Sequence, residues 1–352
     1  MNNLYIFGIT SAKGGIELLM KQIVFDTATK HPETKIHIVT SYSNIAFEDA
    51  YKQVDVDIIK ISSRLEKHAY KNSLKNIIAS LDKDDVVYLN IATYCNWTLF
   101  KQVKNANCKI IVHGHNANTS NIIKKILHAI GRIRFNNIGY KIAVSEQCNR
   151  FMFGGKADEI IDNGIDSKLF KFDINNRRNI RKEYGINDNQ IVVGSLGRIS
   201  KEKNSLYLVK KAKDFPNCLF MFIGGFMNKK YEAKIRKAAA SNCVFVGEQD
   251  NAWAYLSAFD AMIVPSRREG FPLAFVEALT NGLHVFCLDY LYNKLPNSIK
   301  NNQNTHCLSP NNFNNEILFK FNVKRNNGEV NFSKEYDVIG LLSKIERIIY
   351  YE

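Results

Sequence analysis

The feature that most constrains the fold is an alternation of short apolar runs with stretches of helical periodicity, which occurs twice along the chain. In the first series, runs typical of buried strands occupy residues 4–9, 35–40, 86–91, 109–114 and 141–145. Helix-like patterns, such as those at 14–30 and 119–133, lie between most of them. Because parallel strands are joined by helical crossovers, this alternation predicts a parallel sheet and an α/β fold.

The pattern then restarts after a polar, charged segment with turn signals at Asn163–Gly164 and Gly185–Ile186. Strand-like runs follow at 190–197, 218–225, 243–248, 260–266 and 284–290, with helical patterns at 204–213, 228–240, 251–258 and 272–281. We therefore predict two Rossmann-like domains, 1–163 and 164–335. The apolar spacing of 336–352 predicts a last helix that packs back on the first domain. Ligands of such domains bind at the carboxyl ends of the strands, in a cleft between them.

The composition narrows the classes of partner. The chain has 352 residues and a net charge of +14, which favours nucleic acid, a membrane surface or phosphorylated ligands. Neither a nucleic-acid-binding module nor interleaved stacking aromatics is evident, so no nucleic-acid partner is expected. The seven cysteines include no C-x-x-C pair, and no apolar run reaches the roughly 18–20 residues of a membrane span. We expect a cytoplasmic protein with reduced thiols.

The stretch "SRREGFPLAFVEAL", residues 266–279, carries two glutamates eight positions apart. Pro272 suits the first position of a helix, where its missing N–H costs nothing. The free amides from Gly270 to Leu273 would then form an anion site at the positive end of the helix. Glu277 lies on the second turn, where its carboxylate could accept hydrogen bonds from sugar hydroxyls, and Glu269 lies outside the helix. The alternative is an amphipathic helix with an acidic first turn.

This stretch resembles the E-x7-E signature of the retaining glycosyltransferases of family 4, which have the GT-B fold. Four further segments resemble elements of that family in the same order: "KGGIE" (13–17), "KIAVSE" (141–146), "NGID" (163–166) and "GSLGRISKEKN" (194–204). The likeness covers residues 5–290 and indicates the type found in bacterial polysaccharide or lipopolysaccharide synthesis. It implies two Rossmann-like domains facing across a cleft, with the acceptor on the first and the nucleotide-sugar donor on the second.

The resemblance also implies an activity. A hexosyltransferase-type enzyme would move a sugar from a nucleotide-diphosphate sugar to a hydroxyl of a cell-surface glycan or lipid-linked acceptor. UDP is the expected nucleotide of the donor. The configuration at the anomeric carbon would be retained, and no metal cofactor would be required. The other readings are a GT-B-type nucleotide-sugar epimerase and a non-catalytic homologue that acts as a partner of a second glycosyltransferase.

The residues that match the family motifs receive roles from the resemblance. Arg198 and Lys203 would hold the donor diphosphate, Glu277 the ribose, and Glu269 would lie near the transferred sugar. The remaining donor contacts would come from a glycine pair and the start of the helix, namely Gly14, Gly15, Gly270, Phe271, Pro272 and Leu273. Without the resemblance, Arg198 and Lys203 read as solvated residues of a loop that also holds Lys201 and Glu202, and the glycine pair reads as a tight turn.

Two histidines end the strand-like run "KIIVHGH". His115 is expected to contact the donor sugar from the first domain, as the family does with a histidine here, and His113 is the second choice. Alternatively, the histidine is hydrogen-bonded within its loop. Two histidines at this spacing can suggest a metal pair, but no further ligand cluster accompanies them. The "VDVD" at 54–57 spells a D-x-D, which we interpret as solvated turn chemistry rather than a metal site.

The interval between Asp85 and Glu146 contains no Asp or Glu. Its basic residues are Lys101, Lys104, Lys109, Lys124, Lys125, Arg132, Arg134 and Lys141. The piece "NIIKKILHAIGRIRF" combines apolar positions at helical spacing with adjacent basic residues. It suits either an interfacial helix on anionic lipid at the inner face of the plasma membrane, with contacts through 101–141, or an ordinary packed helix with a basic exposed face.

Overall fold

The chain is described by a computed structural model that covers residues 1–12, 14–119, 121–267, 269, 271–309 and 336–351. It divides into two compact units. Unit 1 comprises Met1–Asn163 with Ile339–Glu352, and unit 2 comprises Gly164–Val338. Each unit contains one parallel sheet with helical crossovers, so the predicted α/β class is confirmed.

The sheet of unit 1 has the strand order β3-β2-β1-β4-β5-β6-β7, and every pair in it is parallel. The strands are β1 (Asn3–Phe7), β2 (Lys35–Thr40), β3 (Val56–Lys60), β4 (Val86–Ile91), β5 (Lys109–Gly114), β6 (Tyr140–Ala143) and β7 (Glu159–Ile160). The central strand β4 is buried at every position, as expected for a strand covered on both faces of the sheet.

The helices of unit 1 connect these strands and cover the sheet. They are α1 (Gly15–Lys30), α2 (Glu48–Tyr51), α3 (Lys67–Ala79), α4 (Trp97–Val103), α5 (Ile122–Phe135), α6 (Glu146–Cys148) with a π-helical turn at Asn149–Phe153, and the C-terminal helix, Val338–Tyr350.

The C-terminal helix completes the core of unit 1. Its Leu341, Ile345, Ile348 and Ile349 are buried in one cluster with side chains of β1 and α1. The ammonium group of Lys109 on β5 donates to the carbonyls of Ile348 and Ile349, which have no partner within the helix, as is common at a helix C-terminus.

The sheet of unit 2 has the strand order β10-β9-β8-β11-β12-β13, also parallel. The strands are β8 (Ile191–Leu196), β9 (Cys218–Ile223), β10 (Cys243–Gly247), β11 (Ala261–Val264), β12 (His284–Leu288) and β13 (Thr305–Leu308). The helices are α7 (Ile174–Glu183), α8 (Ser205–Lys211), α9 (Lys229–Ala238), α10 (Ala252–Leu256), α11 (Leu273–Thr280), α12 (Asp289–Tyr292) and α13 (Asn297–Lys300), which makes the C-terminal helix of unit 1 α14.

The interpretation of "VDVD" as solvated turn chemistry fits Asp55, which is exposed and precedes β3, but not Asp57. Asp57 is the second residue of β3, and its carboxylate lies 3.4 Å from Nδ1 of His37 on the neighbouring β2. Because β3 is the edge strand, it alternates between half-buried and exposed positions and can carry charged side chains on its open face.

The chain passes between the units at two segments that pair with each other. Ile165 and Asp337 form a parallel bridge, in which Ile165 N–H donates to the carbonyl of Tyr336 and Val338 N–H donates to the carbonyl of Ile165. A Cβ on Gly164 would lie 2.8 Å from Cα of Val338, so this close approach requires glycine. No helix in the described part of the chain is long and apolar enough to cross a membrane.

Candidate functional site

The loop that follows β8 in unit 2 carries Arg198 and Lys203. Gly197 opens it with a φ of +125°, a conformation that favours glycine, and its N–H donates to the carbonyl of Ile223 on β9. Further along, the Ser200 hydroxyl accepts from the Lys203 N–H, and the Ser205 hydroxyl accepts from the Ser200 N–H. These side-chain bonds fold the loop back at the start of α8 and direct Lys203 towards the loop after β11.

The ammonium group of Lys203 meets the carboxylate of Glu269 there. Its Nζ lies 2.8 and 2.9 Å from the two carboxylate oxygens, and the Glu269 side chain is only 11% exposed. Two residues that the sequence analysis assigned separately to diphosphate and sugar thus form an ion pair. The backbone links the loops as well, because the Arg267 N–H donates to the carbonyl of Glu202.

Arg198 is exposed and lies on the same depression as Lys203. That depression is also lined by Ser195, Gly197 and Ser266, which end or follow β8 and β11. It therefore lies at the carboxyl ends of two adjacent strands, where ligands of doubly wound sheets bind. The guanidinium of Arg198 makes no ion pair with any residue that the structure describes.

The start of α11 differs from the prediction. Pro272 is the N-cap, with φ −83° and ψ +70°, and the first helical residue is Leu273. The Leu273 N–H donates to the carbonyl of Phe271 and is not free for an anion, because the chain makes a tight turn over Pro272. Phe271 is buried, with its ring centroid 5.5 Å from that of Tyr336. The prediction for Gly270 lies outside the described residues.

Glu277 is the fifth residue of α11 and is partly buried. Burial raises the pKa of its carboxyl to about 7, and the positive charge of nearby Lys203 acts in the opposite direction. The side chain makes no hydrogen bond to the residues described here. Lys203 thus lies close enough to both glutamates of the E-x7-E stretch to affect their charge.

Two supporting residues escaped the sequence analysis. Asn204 has a left-handed φ of +54°, which asparagine tolerates better than most residues, and its Nδ2 donates to the Tyr290 hydroxyl. That hydroxyl in turn donates to the carbonyl of Pro265, at the end of β11. Tyr290 therefore ties the Lys203 loop to the neighbouring strand end. Asn204 stands within the quoted motif, but nothing in the sequence near Tyr290 indicates the contact.

The glycine pair of unit 1 lies at the start of α1. Gly14 is the N-cap and Gly15 the first helical residue. The carboxylate of Glu17, buried in the first turn, accepts a hydrogen bond from the Thr10 hydroxyl, and its other oxygen would lie 3.1 Å from a Cβ on Gly14. The protein therefore already places an anionic group at this helix end, where the dipole favours it.

His113 and His115 are both buried at the end of β5, with ring centroids 4.2 Å apart. His113 Nδ1 is 2.6 Å from the Tyr88 hydroxyl. Burial lowers the pKa of His113 well below its usual value and that of His115 to about 3, so both are neutral at ordinary pH. Both ring nitrogens of His115 are buried and have no hydrogen-bond partner among the described residues.

A cavity of about 970 Å³ opens at the carboxyl ends of β1, β2 and β4 in unit 1. Its lining includes Asn90, Trp97 and the first turns of α3, and no carboxylate occurs in it. In the described part of the chain, no group of three or more His, Cys, Asp or Glu side chains is arranged to hold a metal ion.

Helix α5 presents its apolar side to solvent. It packs on unit 1 through His128, Gly131 and Phe135, which are buried. The exposed residues form one stripe, from here on the α5 stripe: Ile122, Ile123, Ile126, Leu127, Ile130 and Ile133. Ile122 is 74% exposed and Ile133 83%. The helix therefore packs on unit 1 and carries apolar as well as basic side chains on its exposed face.

The basic residues of the acid-free interval divide into two groups. Lys109 caps α14, the Arg132 guanidinium donates to the carbonyls of Arg150 and Phe151, and Lys141 lies 3.5 Å from Asp158, so these three serve the fold. The others are exposed, namely Lys101, Lys104, Lys124, Lys125 and Arg134. Three of them, Lys124, Lys125 and Arg134, border the α5 stripe.

Comparison with known proteins shows a family likeness that lies in the second unit. Residues 176–318, which lie within unit 2, match the family described as Glycosyl transferases group 1. Over 133 residues the chain is 31% identical to the UDP-Gal:alpha-D-GlcNAc-diphosphoundecaprenol alpha-1,3-galactosyltransferase of Escherichia coli; this alignment covers 35% of the chain and 34% of that enzyme. The chain thus matches about a third of the length of that relative.

Longer but weaker alignments extend over both units. The chain is 24% identical over 290 residues to the O-antigen biosynthesis glycosyltransferase WclY of Escherichia coli, which covers 78% of this chain and 76% of WclY. Among solved structures, Anabaena Alr3699/HepE in complex with UDP and glucose matches 100% of both chains with a TM-score of 0.81 at 16% identity. At that identity the likeness establishes the fold, and the expected GT-B architecture of two parallel α/β domains is confirmed.

Proposed function

We propose that the protein is a retaining glycosyltransferase of family 4 type. It transfers a sugar from a nucleotide-diphosphate sugar to a hydroxyl of a cell-surface glycan or lipid-linked acceptor. A UDP sugar is the expected donor. The observation that carries the proposal is the convergence of Arg198, Lys203, Glu269 and Glu277 at the carboxyl ends of β8 and β11. This cluster lies within the region that matches group 1 glycosyltransferases. The named relatives, a galactosyltransferase and an O-antigen glycosyltransferase, support the acceptor class.

The donor diphosphate is assigned to the cations of unit 2. Arg198 offers a planar fork of donors and Lys203 a compact charge, and together they match the two phosphates of the leaving group. We also keep the backbone contacts to the donor as proposals. They involve Gly14, Gly15, Gly270, Phe271, Pro272 and Leu273. The Leu273 N–H already donates to a backbone carbonyl, and the Glu17 carboxylate lies beside Gly14. We therefore expect these backbone contacts to contribute less to donor binding than Arg198 and Lys203 do.

The sugar and the ribose are assigned to the carboxylates and to His115. Glu277 accepts hydrogen bonds from the ribose hydroxyls, which its unpartnered carboxylate can do. Glu269 lies beside the transferred sugar, and His115 contacts that sugar as a neutral imidazole. The acceptor oxygen bonds to the anomeric carbon as the bond to the phosphate oxygen breaks, and the leaving phosphate takes the acceptor's proton. This reaction requires neither a protein nucleophile nor a metal ion, and the cations stabilise the charge that develops on the phosphate.

The membrane surface is the second proposed partner. The α5 stripe of isoleucines and leucine is bordered by Lys124, Lys125 and Arg134, and no acidic residue lies between Asp85 and Glu146. An apolar stripe flanked by cations inserts at the boundary of an anionic bilayer, where acyl chains cover the isoleucines and head groups pair with the lysines. We propose that the protein binds the inner face of the plasma membrane in this way, where lipid-linked acceptors would be available.

A donor screen tests the proposed activity. Nucleotide release and thermal stabilisation are measured with UDP, GDP and ADP sugars, and the anomeric configuration of any product is read by NMR. We expect UDP sugars to stabilise the wild type and to give a retained product. Lys203→Ala and Glu277→Ala should each lower donor affinity or turnover at least tenfold, whereas Lys201→Ala, in the same loop, should leave both unchanged.

Three outcomes would contradict the proposal. Wild-type kinetics in folded Lys203→Ala and Glu277→Ala proteins would contradict the site. Conversion of a nucleotide sugar to its epimer without an acceptor would favour the isomerase. Absence of stabilisation by any nucleotide would favour a non-catalytic partner.

A further inference from the structure

The cavity of unit 1 has a basic wall. Arg64 precedes α3, and Lys67, His68 and Lys71 follow on the first turns of that helix. Arg64, Lys67 and Lys71 make no ion pair with any residue in the described part of the chain, and the lining contains no carboxylate. A wall of unpaired cations facing a cavity attracts an anionic ligand.

The position of these cations adds to the argument. They stand at the N-terminus of α3, where the helix dipole already supplies partial positive charge and where cations are unfavourable. The first turn of α3 contains no acidic residue, and its N-cap, Glu66, makes no side-chain capping bond. The carboxylate of Glu66 at this helix end forms no ion pair with these cations in the described part of the chain, so they remain available to a bound anion.

A buried amide in the same lining points to a ligand independently. Asn90 is only 6% exposed, and its Nδ2 donates to the carbonyl of Gly8 at 3.4 Å. Its Oδ1 has no hydrogen-bond partner among the described residues. A buried acceptor without a donor costs about 1–3 kcal/mol, so a ligand with hydroxyl groups would be stabilised there.

An aromatic side chain completes the wall. Trp97 lines the cavity, and its indole N–H donates to the carbonyl of Leu127 on α5, which fixes the ring. Leu127 belongs both to the lining and to the α5 stripe, so the exposed apolar surface begins at the edge of the cavity. The cavity therefore suits a ligand with three parts. An anionic group would contact the basic wall, hydroxyls would contact Asn90, and an attached hydrocarbon chain would contact the α5 stripe.

We propose that this cavity binds the acceptor through a phosphate or diphosphate ester. Arg64, Lys67 and Lys71 hold the phosphate, and Asn90 and Trp97 contact the sugar that it carries. The proposal rests on the proposed function, because it identifies the acceptor as a phosphate-bearing saccharide. Where a lipid carrier is attached to the phosphate, its chain leaves along the α5 stripe.

A fluorescence titration tests this binding without turnover. The chain has two tryptophans, Trp97 and Trp253, so Trp253→Phe leaves one fluorophore in the cavity wall. The probes are farnesyl diphosphate, glucose 1-phosphate and farnesol, each added in saturating UDP so that the donor site is filled. We expect saturable changes with both phosphates, and with farnesol an affinity at least tenfold weaker than with farnesyl diphosphate. Tighter binding of farnesyl diphosphate indicates a lipid-linked source, and tighter binding of glucose 1-phosphate a phosphorylated sugar.

Charge variants decide which residues are responsible. In the Trp253→Phe background, the triple change Arg64→Gln, Lys67→Gln and Lys71→Gln should weaken the phosphate probes at least tenfold. The matched control removes three exposed lysines of unit 1 that do not line the cavity, through Lys35→Gln, Lys75→Gln and Lys83→Gln, and should bind as the background does. Equal affinity in both triple variants, or equal affinity for farnesol and farnesyl diphosphate, would overturn the proposal.

The two proposals fail separately. Phosphate binding in unit 1 is read from Trp97 and requires no donor sugar. The proposed function is read from nucleotide release and from the Lys203 and Glu277 variants of unit 2. A normal donor site with no phosphate binding at Trp97 would reject the acceptor site alone.

Discussion

The ammonium group of Lys203 donates to both carboxylate oxygens of Glu269, at 2.8 and 2.9 Å, across 66 positions of sequence. The cation that we propose for the donor diphosphate is therefore paired with a carboxylate of the neighbouring loop. A nucleotide diphosphate has to share Lys203 with Glu269 or displace it. Glu269 thus positions the ammonium group and also competes for it.

Glu269→Gln should separate these two effects. Removing the negative charge frees Lys203, so we expect UDP affinity to stay equal or to rise a few fold. Turnover should fall at least tenfold if the carboxylate acts on the transferred sugar. Calorimetric titration with UDP and steady-state kinetics give the two quantities, with Glu202→Gln as the control in the neighbouring loop. A parallel loss of UDP binding and turnover would mean that Glu269 only shapes the loop.

The raised pKa of Glu277 predicts a pH-dependent stability. Its value of about 7 lies above the usual 4.5, so between these pH values the folded protein holds a proton that the unfolded chain has released. Stability should fall as pH rises from 4.5 to 7, by at most about 3 kcal/mol from this group. Glu277→Gln should match the wild type at pH 5 and exceed it at pH 8, as measured by urea unfolding. An unchanged difference between the two pH values would contradict the shift.

The same group should make donor affinity depend on pH. A carboxylate that accepts bonds from ribose hydroxyls is favoured in its ionised form, so affinity should increase as pH rises to about 7 and level off above it. UDP-glucose is the suitable probe, because it lacks the terminal phosphate of UDP, which titrates in this range. Glu277→Gln should remove the pH dependence, and an identical profile in both proteins would argue against ribose binding by Glu277.

The packing of helix α5 on unit 1 should depend on the absence of a side chain at Gly131. A Cβ on Gly131 would lie 2.4 Å from the Tyr94 carbonyl oxygen, which is backbone and cannot yield easily. Gly131→Ala should therefore lower the melting temperature by several degrees, since about 1 kcal/mol already shifts it by 2–4 °C in a chain of this size. Ile126→Ala, on the exposed side of the same helix, should leave it unchanged. Equal losses in the two variants would mean that the isoleucines also pack.

Membrane binding should require both the apolar and the basic parts of α5. Two triple variants should each reduce co-sedimentation with phosphatidylglycerol vesicles at least tenfold. The first combines Ile122→Ser, Ile126→Ser and Ile133→Ser, and the second combines Lys124→Glu, Lys125→Glu and Arg134→Glu. Neutral phosphatidylcholine vesicles should bind the wild type weakly. Arg132 is excluded from the set because its guanidinium caps two carbonyls of the fold. Unchanged sedimentation of either triple variant would contradict the proposed partner.

The sequence predicted the regular parts of the fold well and the loop geometry poorly. Buried strands such as β4 and β12 stand out because most of their residues are apolar, whereas the edge strand β3 carries Asp57 and was not among the predicted strands. The direction of α5 could not be deduced from spacing. Periodicity gives the width of an apolar stripe, and here the core face is made by His128, Gly131 and Phe135. The Lys203–Glu269 pair joins two loops that only the folded sheet brings together.

The position of α14 has a consequence for how the chain acquires its structure during synthesis. Unit 1 begins at Met1, but four buried side chains of its core belong to Leu341, Ile345, Ile348 and Ile349. Unit 2 is continuous in sequence, and all of it is synthesised before those residues. We therefore expect the core of unit 1 to be completed only once α14 has been made, although most of that unit is synthesised first. A fragment that stops at Asn163 would expose the apolar surface that α14 covers and would be prone to aggregate.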